Sequence, residues 1–193
     1  MSEHNQEPIT IAILAGTKRE GRRSIHAAQF VADVGRQQPG ATIEFVDPAE
    51  LQLPPDGAPK DGRDPRYSEI TARADAFFIV TPEYNHGYPS SLKRMLDSEF
   101  DNYKYKPVAL AGVSSGPWGG LRVCEALLPV CHTLRMVGVR PELYIPNVNE
   151  LFDGNGQLKP EHAEQYTANA QKSYDELLWF ARVLKRARAG REG

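Results

Sequence analysis

Five short apolar segments limit the folds available to this chain. They are separated by segments in which apolar residues recur with the period of an α-helix. The five apolar segments cover residues 9–15, 41–47, 75–81, 106–115 and 140–146. Runs that are apolar almost throughout are typical of strands buried on both faces of a sheet. Because helical segments separate the strands, the sequence predicts a parallel sheet whose crossover helices cover both faces.

The helical segments are bounded by polar residues, glycine and proline. We expect the first helix to begin with Ser24 as its N-cap and to end at Gly35. Proline and glycine recur through residues 48–64, which predicts a long surface loop without regular structure. The other predicted helices cover residues 65–74, 92–100, 123–134, where Pro129 could introduce a kink, and a long segment from Glu161.

The chain has 193 residues, of which 40% are hydrophobic, and this suits one domain with a single core. We expect an α/β fold of the flavodoxin-like type, a three-layer sandwich with a five-stranded parallel sheet of order 2-1-3-4-5. Residues 9–185 would form this domain. Residues 1–8 are interpreted as a disordered N-terminal arm, and residues 186–193 as a basic, frayed C-terminal tail.

Three loops at the carboxyl ends of predicted strands carry unusual side chains. They are residues 16–24, 81–89 and 114–120. In the predicted strand order the chain reverses direction between strands 1 and 3, and ligands bind beyond the carboxyl ends of the strands at such a point. Together the three loops therefore form the candidate site.

The first loop, GTKREGRRS (16–24), has the chemistry of a phosphate site. Hydroxyl groups, free backbone N–H groups and a helix N-terminus favour an anion. Arg19 or Arg22 could add charge-assisted hydrogen bonds. Neither the Walker A pattern nor the G-x-G-x-x-G dinucleotide pattern is present. Taken alone, the segment could instead be a solvated basic loop.

The second loop, TPEYNHGYP (81–89), predicts a wall for a flat polar ring. Pro82 stiffens the exit from the strand, Tyr84 offers an aromatic face, and Asn85 can both donate and accept hydrogen bonds. The loop backbone would present N–H and C=O groups, and Gly87 would permit close approach. A capped turn with a surface tyrosine is the alternative.

The third loop, SSGPWGG (114–120), predicts an opposite wall, since two glycines before a helix let backbone lie against a ring. Trp118 could cover a ligand or pack at a subunit contact. A phosphate at the end of strand 1, with a planar ring between the ends of strands 3 and 4, describes a mononucleotide. In this fold the expected ligand is FMN.

These stretches resemble the NADPH-dependent FMN reductase family, flavodoxin-like proteins that include bacterial quinone, chromate and azo-dye reductases. Residues 16–24 are similar to a G-S-x-R-x-G-R-x-S loop. Residues 81–97, TPEYNHGYPSSLKRMLD, are similar to a P-E-Y-N-x-[SG]-x-P-x-x-L-K-N-x-[IL]-D pattern, and residues 114–122 match more loosely. The similarity covers residues 10–150.

The resemblance implies where FMN would bind. Its phosphate would lie against residues that match Thr17, Arg19 and Ser24, and the isoalloxazine edge would lie on the backbone of residues 82–85. It also implies a homodimer or homotetramer with flavin sites near the subunit interfaces. The cofactor-binding residues expected from all three loops are Gly16, Thr17, Arg19, Arg22, Ser24, Pro82, Glu83, Tyr84, Asn85, His86, Ser114, Ser115, Gly116, Gly119 and Gly120.

The function expected from these residues is that of an FMN-dependent oxidoreductase. NADPH, or NADH, would give hydride to the flavin, and a free flavin, quinone, azo compound or metal oxyanion would then accept the electrons in a ping-pong exchange. We expect no catalytic side chain. His86 could donate a proton beside the ring, but a lone histidine in a loop is more often a surface or interface residue.

Two other functions suit the same fold. A non-enzymatic FMN electron carrier is disfavoured because true flavodoxins are typically strongly acidic, whereas the net charge here is −2. A flavin-free regulatory protein is the second alternative, since a fold alone does not determine function.

Composition argues against several other classes of protein. A pI of about 6.2 and scattered aromatic residues give no reason to expect a nucleic-acid partner. No run approaches the roughly 20 apolar residues that span a bilayer, and residues 1–8 carry no signal-peptide core. Cys124 and Cys131 are too far apart on a predicted helix to form a disulfide. Because unpaired cysteines suit a reducing compartment, we expect a cytoplasmic protein. We also expect no metal site.

Overall fold

The computed structural model describes residues 7–54 and 63–190 of the chain. Its strands are β1 (Ile9–Ala15), β2 (Ala41–Val46), β3 (Ala76–Pro82), β4 (Pro107–Val113), β5 (Val137–Gly138) and β6 (Leu143–Ile145). Its α-helices are α1 (Ser24–Arg36), α2 (Pro65–Arg73), α3 (Ser90–Ser98), α4 (Leu121–Thr133), α5 (Val148–Leu151) and α6 (Pro160–Ala189). Two short 3₁₀ helices cover Pro48–Glu50 and Asp101–Tyr103.

All the strands lie parallel in one sheet of order β2-β1-β3-β4-β5, with β6 also paired to β4. This confirms the predicted fold and strand order. Within the fifth predicted strand, residues 140–146, only β6 (Leu143–Ile145) is a strand. β5 (Val137–Gly138) lies before that range and was not predicted, and the two short strands pair with opposite ends of β4. Pro141 lies between them, and because it has no amide hydrogen it cannot continue the ladder.

Alternate residues of the central strands face two separate apolar layers. Ile11 and Ile13 of β1 pack with α1 and α6 on one face of the sheet. Ala12 and Leu14 pack with α2, α3 and α4 on the other face. This period of two, buried on both sides, produces the three-layer sandwich that the apolar runs predicted.

The start and end of α1 differ from the prediction. Ser24 is the first helical residue and not the N-cap; Arg23 occupies that position, and its side chain makes no capping hydrogen bond. Gly35 lies inside the helix, where a Cβ would be 2.4 Å from the Tyr174 hydroxyl oxygen. Its role is therefore close packing against α6, and the helix continues to Arg36.

Two segments that the sequence left irregular are partly helical. Residues 48–64 include the 3₁₀ helix Pro48–Glu50, which begins because Asp47 caps it through the Ala49 amide; residues 55–62 lie outside the described part of the chain. α6 continues to Ala189 and so includes the first four residues of the predicted basic tail. Of the predicted N-terminal arm, residues 1–6 lie outside the described residues. None of the described helices combines the length and apolarity needed to cross a membrane.

Candidate functional site

The three predicted loops meet around one cavity of about 420 Å³ at the carboxyl edge of the sheet. The parallel strands explain this, since β1, β3 and β4 all end at that edge. The residues that line the cavity are Arg19, Glu20, Gly21, Arg22, Arg23, Ser24, Pro82, Glu83, Tyr84, Val113, Ser114, Ser115, Val148 and Asn149. The structure therefore brings together three segments that are far apart in the sequence.

Gly16 and Thr17 join the first loop to the second without lining the cavity. A Cβ on Gly16 would be 2.3 Å from the Thr81 Oγ1, so only glycine lets β1 end this close to β3. The Thr17 hydroxyl lies 3.3 Å from the Tyr84 hydroxyl and accepts a hydrogen bond from the Arg19 amide. These contacts hold residues 19–24 beside the cavity.

Arg22 has a buried donor without a partner. Its Nη2 pairs with Asp47, its Nη1 donates to the Arg19 carbonyl at 3.4 Å, and its Nε is buried with no hydrogen-bond partner among the described residues. Leaving such a group unsatisfied costs about 1–3 kcal/mol. An anionic oxygen in the cavity that Arg22 lines would relieve this cost, so the residue fits a bound phosphate.

Arg19 and Arg23 are the other cations beside the cavity. Within the described ranges neither forms an ion pair. The Arg19 guanidinium carbon lies 6.0 Å from the centre of the Tyr84 ring, in the range of a cation–π contact. The first loop therefore offers Arg19 and Arg23 as unpaired cations, and Arg22 as a cation fixed in place by Asp47.

The second loop forms a tight turn at residues 84–87. The Tyr84 amide donates to the Gly87 carbonyl, and the Gly87 amide donates to the Tyr84 carbonyl, each at 2.9 Å. Asn85 (φ 49°) and His86 (φ 65°) both adopt left-handed conformations, as in the tightest hairpin turns. The left-handed conformations therefore fall on the two residues before Gly87.

This turn leaves two backbone donors available. The amides of Asn85 and His86 have no hydrogen-bond partner among residues 7–54 and 63–190. His86 is exposed and does not line the cavity. The unpartnered amides and the exposed imidazole therefore favour a backbone role for Asn85 and His86 over a chemical role for the His86 side chain.

Glu83 contributes a second buried polar atom without a partner. Its amide donates to the Val113 carbonyl at 3.0 Å, which ties the second loop to β4. Its Oε1 lies 3.5 Å from the Arg122 Nη1, whereas its Oε2 is buried without a partner in the described chain. Two residues that line the cavity thus carry a buried atom without a partner, a donor on Arg22 and an acceptor on Glu83. FMN suits this pair, since its phosphate accepts hydrogen bonds and its hydroxyl and ring N–H groups donate them.

The third loop lines the cavity through its serines but not through its glycines. Ser114 and Ser115 lie in the wall, and the Ser114 Oγ donates to the Gly116 carbonyl at 2.7 Å. A Cβ on Gly119 would be 2.8 Å from the Tyr144 Cβ, and one on Gly120 would be 2.4 Å from the Val113 amide nitrogen. The two glycines let the turn pack on the sheet, and they support the wall from behind.

Val148 and Asn149 of α5 also line the cavity, and the sequence analysis did not identify them. The Val148 amide donates to the Ser114 carbonyl at 3.0 Å, so this short helix is fixed to the third loop. Their position in the sequence could have identified them, because the segment after the last parallel strand must emerge at the same edge of the sheet as the other three loops.

The predicted site residues thus fall into two groups. Eight line the cavity: Arg19, Arg22, Ser24, Pro82, Glu83, Tyr84, Ser114 and Ser115. Seven lie beside or behind its wall: Gly16, Thr17, Asn85, His86, Gly116, Gly119 and Gly120. Contact of any of them with a flavin stays a prediction.

The two cysteines lie away from this chemistry. Both are free and buried on α4, and burial raises the pKa of the Cys124 and Cys131 thiols to about 12. They are therefore protonated at neutral pH. The described residues contain no group of three or more histidine, cysteine or carboxylate side chains placed to hold a metal.

Comparison with known proteins identifies relatives of this chain. Residues 9–150 match the family profile described as NADPH-dependent FMN reductase. A 2-hydroxy-1,4-benzoquinone reductase from Burkholderia sp is 28% identical over 174 residues, which cover 86% of this chain and 94% of the relative. An NAD(P)H-dependent FMN reductase of Schizosaccharomyces pombe is 32% identical over 149 residues, 70% of this chain and 73% of the relative.

The solved structure of FerB, a flavoenzyme NAD(P)H:(acceptor) oxidoreductase from Paracoccus denitrificans, has the same fold. It superposes with a TM-score of 0.73 at 21% identity, covering 89% of this chain and 98% of FerB. The family resemblance carried by the first two loops is confirmed by the profile match. This chain belongs to the NADPH-dependent FMN reductase family, a family of flavin-dependent oxidoreductases.

Proposed function

We propose that the chain binds FMN in the loop cavity and transfers electrons from NADPH, or NADH, to a small acceptor. The observation that carries the proposal is the pair of buried unpartnered atoms, Arg22 Nε and Glu83 Oε2, on residues that line one cavity. A ligand with both an anionic group and hydrogen-bond donors would satisfy the pair. When bound, FMN supplies the hydride acceptor and passes on the electrons.

The protein would hold the two ends of the cofactor with different groups. Arg22, Arg19 and the N-terminus of α1 would bind the phosphate. Pro82, Tyr84 and the free amides of Asn85 and His86 would lie against the ring edge, with Ser114 and Ser115 on the opposite wall. No side chain of this set needs to transfer a proton.

Quinones are the acceptors that the relatives favour, because one relative is named for a benzoquinone substrate. Free flavins, azo compounds and metal oxyanions remain in the proposed range. A single cavity serves the ring, so donor and acceptor would occupy it in turn, and this supports a ping-pong order. Two free, buried cysteines support a cytoplasmic location.

We also propose that the chain forms a homo-oligomer through the surface around α4. Trp118, Leu121 and Leu128 are 66%, 38% and 40% exposed, and Phe100 is 44% exposed beside an apolar groove between α3 and α4. Exposed apolar surface of this kind is typical of subunit contacts. Trp118 belongs to the third loop, so a second copy seated here would add to the cavity wall.

Steady-state kinetics of the FMN-loaded protein tests the proposed function. We expect a yellow protein that oxidises NADPH only when a quinone is present, with parallel double-reciprocal lines as the quinone concentration varies. A yellow protein that does not oxidise NADPH or NADH would favour the electron carrier. A colourless protein that takes up no FMN would favour the flavin-free regulatory protein.

A further inference from the structure

Asp47 lies at the end of β2, outside the wall of the loop cavity, and both of its carboxylate oxygens are engaged. Oδ1 accepts from the Ala49 amide at 2.9 Å, where the 3₁₀ helix Pro48–Glu50 begins. Oδ2 pairs with the Arg22 Nη2. The two side chains are only 12% and 16% exposed. Asp47 is therefore a fixed acceptor, and its orientation is set by backbone.

The partners of Arg22 leave one of its three side-chain nitrogens, Nε, without a hydrogen bond. A guanidinium is planar and rigid, so contacts at two of its nitrogens fix the orientation of the whole group. Asp47 holds Nη2, and the Arg19 carbonyl lies 3.4 Å from Nη1. Only Nε remains buried without a partner in the described residues, on a side chain that lines the cavity.

We propose that Asp47 is a positioning residue for the cofactor phosphate: it orients Arg22 so that Nε–H donates to the phosphate of FMN. The inference rests on the proposed function, because the phosphate is that of the bound FMN. The sequence analysis left open which arginine reaches the phosphate. The ion pair with Asp47 selects Arg22 as the arginine with a preset geometry.

Simple electrostatics makes the opposite prediction, and this gives a sharp test. A carboxylate near a phosphate repels it, so removal of the Asp47 charge alone would tighten FMN binding. Loss of positioning would weaken it, because Arg22 would be free to leave the cavity. The sign of the change therefore separates the two effects.

The experiment measures dissociation constants for FMN and for riboflavin, which lacks the phosphate, by quenching of flavin fluorescence. For Asp47→Ala we expect FMN to bind about tenfold more weakly, the size of one lost charge-assisted hydrogen bond, with riboflavin unchanged. Asp33→Ala is the matched control. Asp33 pairs with Arg36 on the exposed face of α1, so we expect both flavins to bind as they do to the wild type.

A second variant tests whether Asp47 acts through Arg22. Arg22→Lys keeps the charge but removes the Nε–H donor, so we expect the same selective loss for FMN. In that background Asp47→Ala should add no further loss, since the residues act as a unit. If circular dichroism shows that Asp47→Ala does not fold, Asp47→Asn carries the test.

Two results would overturn the role of Asp47 and leave the proposed function intact. In the first, the wild type binds FMN more tightly than riboflavin, and Asp47→Ala binds FMN as tightly as the wild type or more tightly. The other is an equal loss for FMN and riboflavin, which would show a general disturbance of the site. Wild-type protein that binds neither flavin would refute the proposed function itself.

Discussion

Lys106 is a buried cation at the edge of the sheet opposite the loop cavity. Its Nζ donates to the carbonyls of Thr71 and Ala72 near the end of α2, at 2.8 and 3.0 Å. Burial is the main cause that lowers the pKa of Lys106 to about 8; repulsion by Arg188 contributes to the shift, and Asp75 opposes it. Burial of the charged Lys106 amine is unfavourable because the amine loses its hydration. Its hydrogen bonds to the end of α2 offset part of this cost.

The low pKa of Lys106 predicts a pH-dependent contribution to stability. Because the pKa of a lysine in the unfolded chain is about 10.5, the unfolded state binds more protons than the native state between pH 8 and 10.5. The contribution of Lys106 to the free energy of unfolding therefore rises with pH in this window and is lost as pH falls through about 8. Urea unfolding measures the free energy of unfolding of the wild type and of Lys106→Met. We expect the wild-type value, relative to that of the variant, to increase by ~2 kcal/mol from pH 7 to 9.5. A difference that stays constant with pH would contradict it.

The buried cysteines predict slow thiol chemistry in the native protein. With the thiol pKa raised to about 12 by burial, almost no thiolate of Cys124 or Cys131 exists at pH 7.5. We expect a disulfide reagent such as DTNB to label native protein only at the rate of its opening, and to label both thiols within seconds in urea. Rapid labelling of the native chain would be inconsistent with the packing of α4.

At the scale of residues, the side chains that suit a phosphate or a ring were the easiest part of the site to predict. Arg19, Arg22, Tyr84 and the serines of the loops were predicted as site residues because their side chains suit a phosphate or a ring, whereas Arg23, which also lines the cavity, was not. Asp47 was not identified, since an aspartate at a strand end has no distinguishing pattern until Arg22 lies beside it. The left-handed turn at Asn85 and His86 was likewise not predicted, because residues other than glycine rarely adopt this conformation.

At the scale of elements, the third loop depends on direct contact between its backbone and β4. A Cβ on Gly112 would lie 2.3 Å from the Gly120 carbonyl oxygen and 2.8 Å from that of Gly119. Neither contact can be relieved by turning a side chain, since both atoms are backbone. The position of one cavity wall therefore requires glycine at residue 112.

Gly112→Ala should displace the third loop and destabilise the protein by about 1–3 kcal/mol, as overpacking of a tight interior does. Urea unfolding measures the change. Gly154→Ala is the matched control, since a Cβ there would meet nothing within 4 Å. Equal stability of the two variants would show that the loop adjusts freely.

The alternation of strands and helices was predictable because long apolar runs and helical spacing are strong signals. The strand β5 and the shortness of β6 were not, since these strands contain two and three residues and depend on pairing with β4. The four-residue helix α5 is too short to show a period. The extension of α6 into the expected tail coincides with a contact that sequence does not reveal, from Arg188 to Asp75 at 3.1 Å.

At the scale of the whole molecule, the exposed apolar surface around α4 predicts an oligomer. Leu128→Glu places a charge in this surface, and we expect subunit association to weaken at least about tenfold because a buried unpaired charge is costly. Sedimentation velocity over a range of concentrations measures it. Trp179→Glu is the control, an exposed apolar residue on α6, and should leave the sedimentation coefficient unchanged. A wild-type chain that sediments as a monomer would contradict the oligomer.

The sheet order places every functional loop at one edge, and the order was predictable from five strands in sequence. The fourth segment of the cavity, Val148 and Asn149, was not predicted, because its four-residue helix shows no helical period and its side chains have no distinctive chemistry. The same topology rule that brought three loops together also applies to this one.

A structure of the chain determined with FMN present tests the site most directly. We expect the phosphate within hydrogen-bonding distance of the Arg22 Nε, and the ring between residues 82–86 and 114–115. A flavin bound anywhere else, or an empty cavity at saturating FMN, would contradict the assignment.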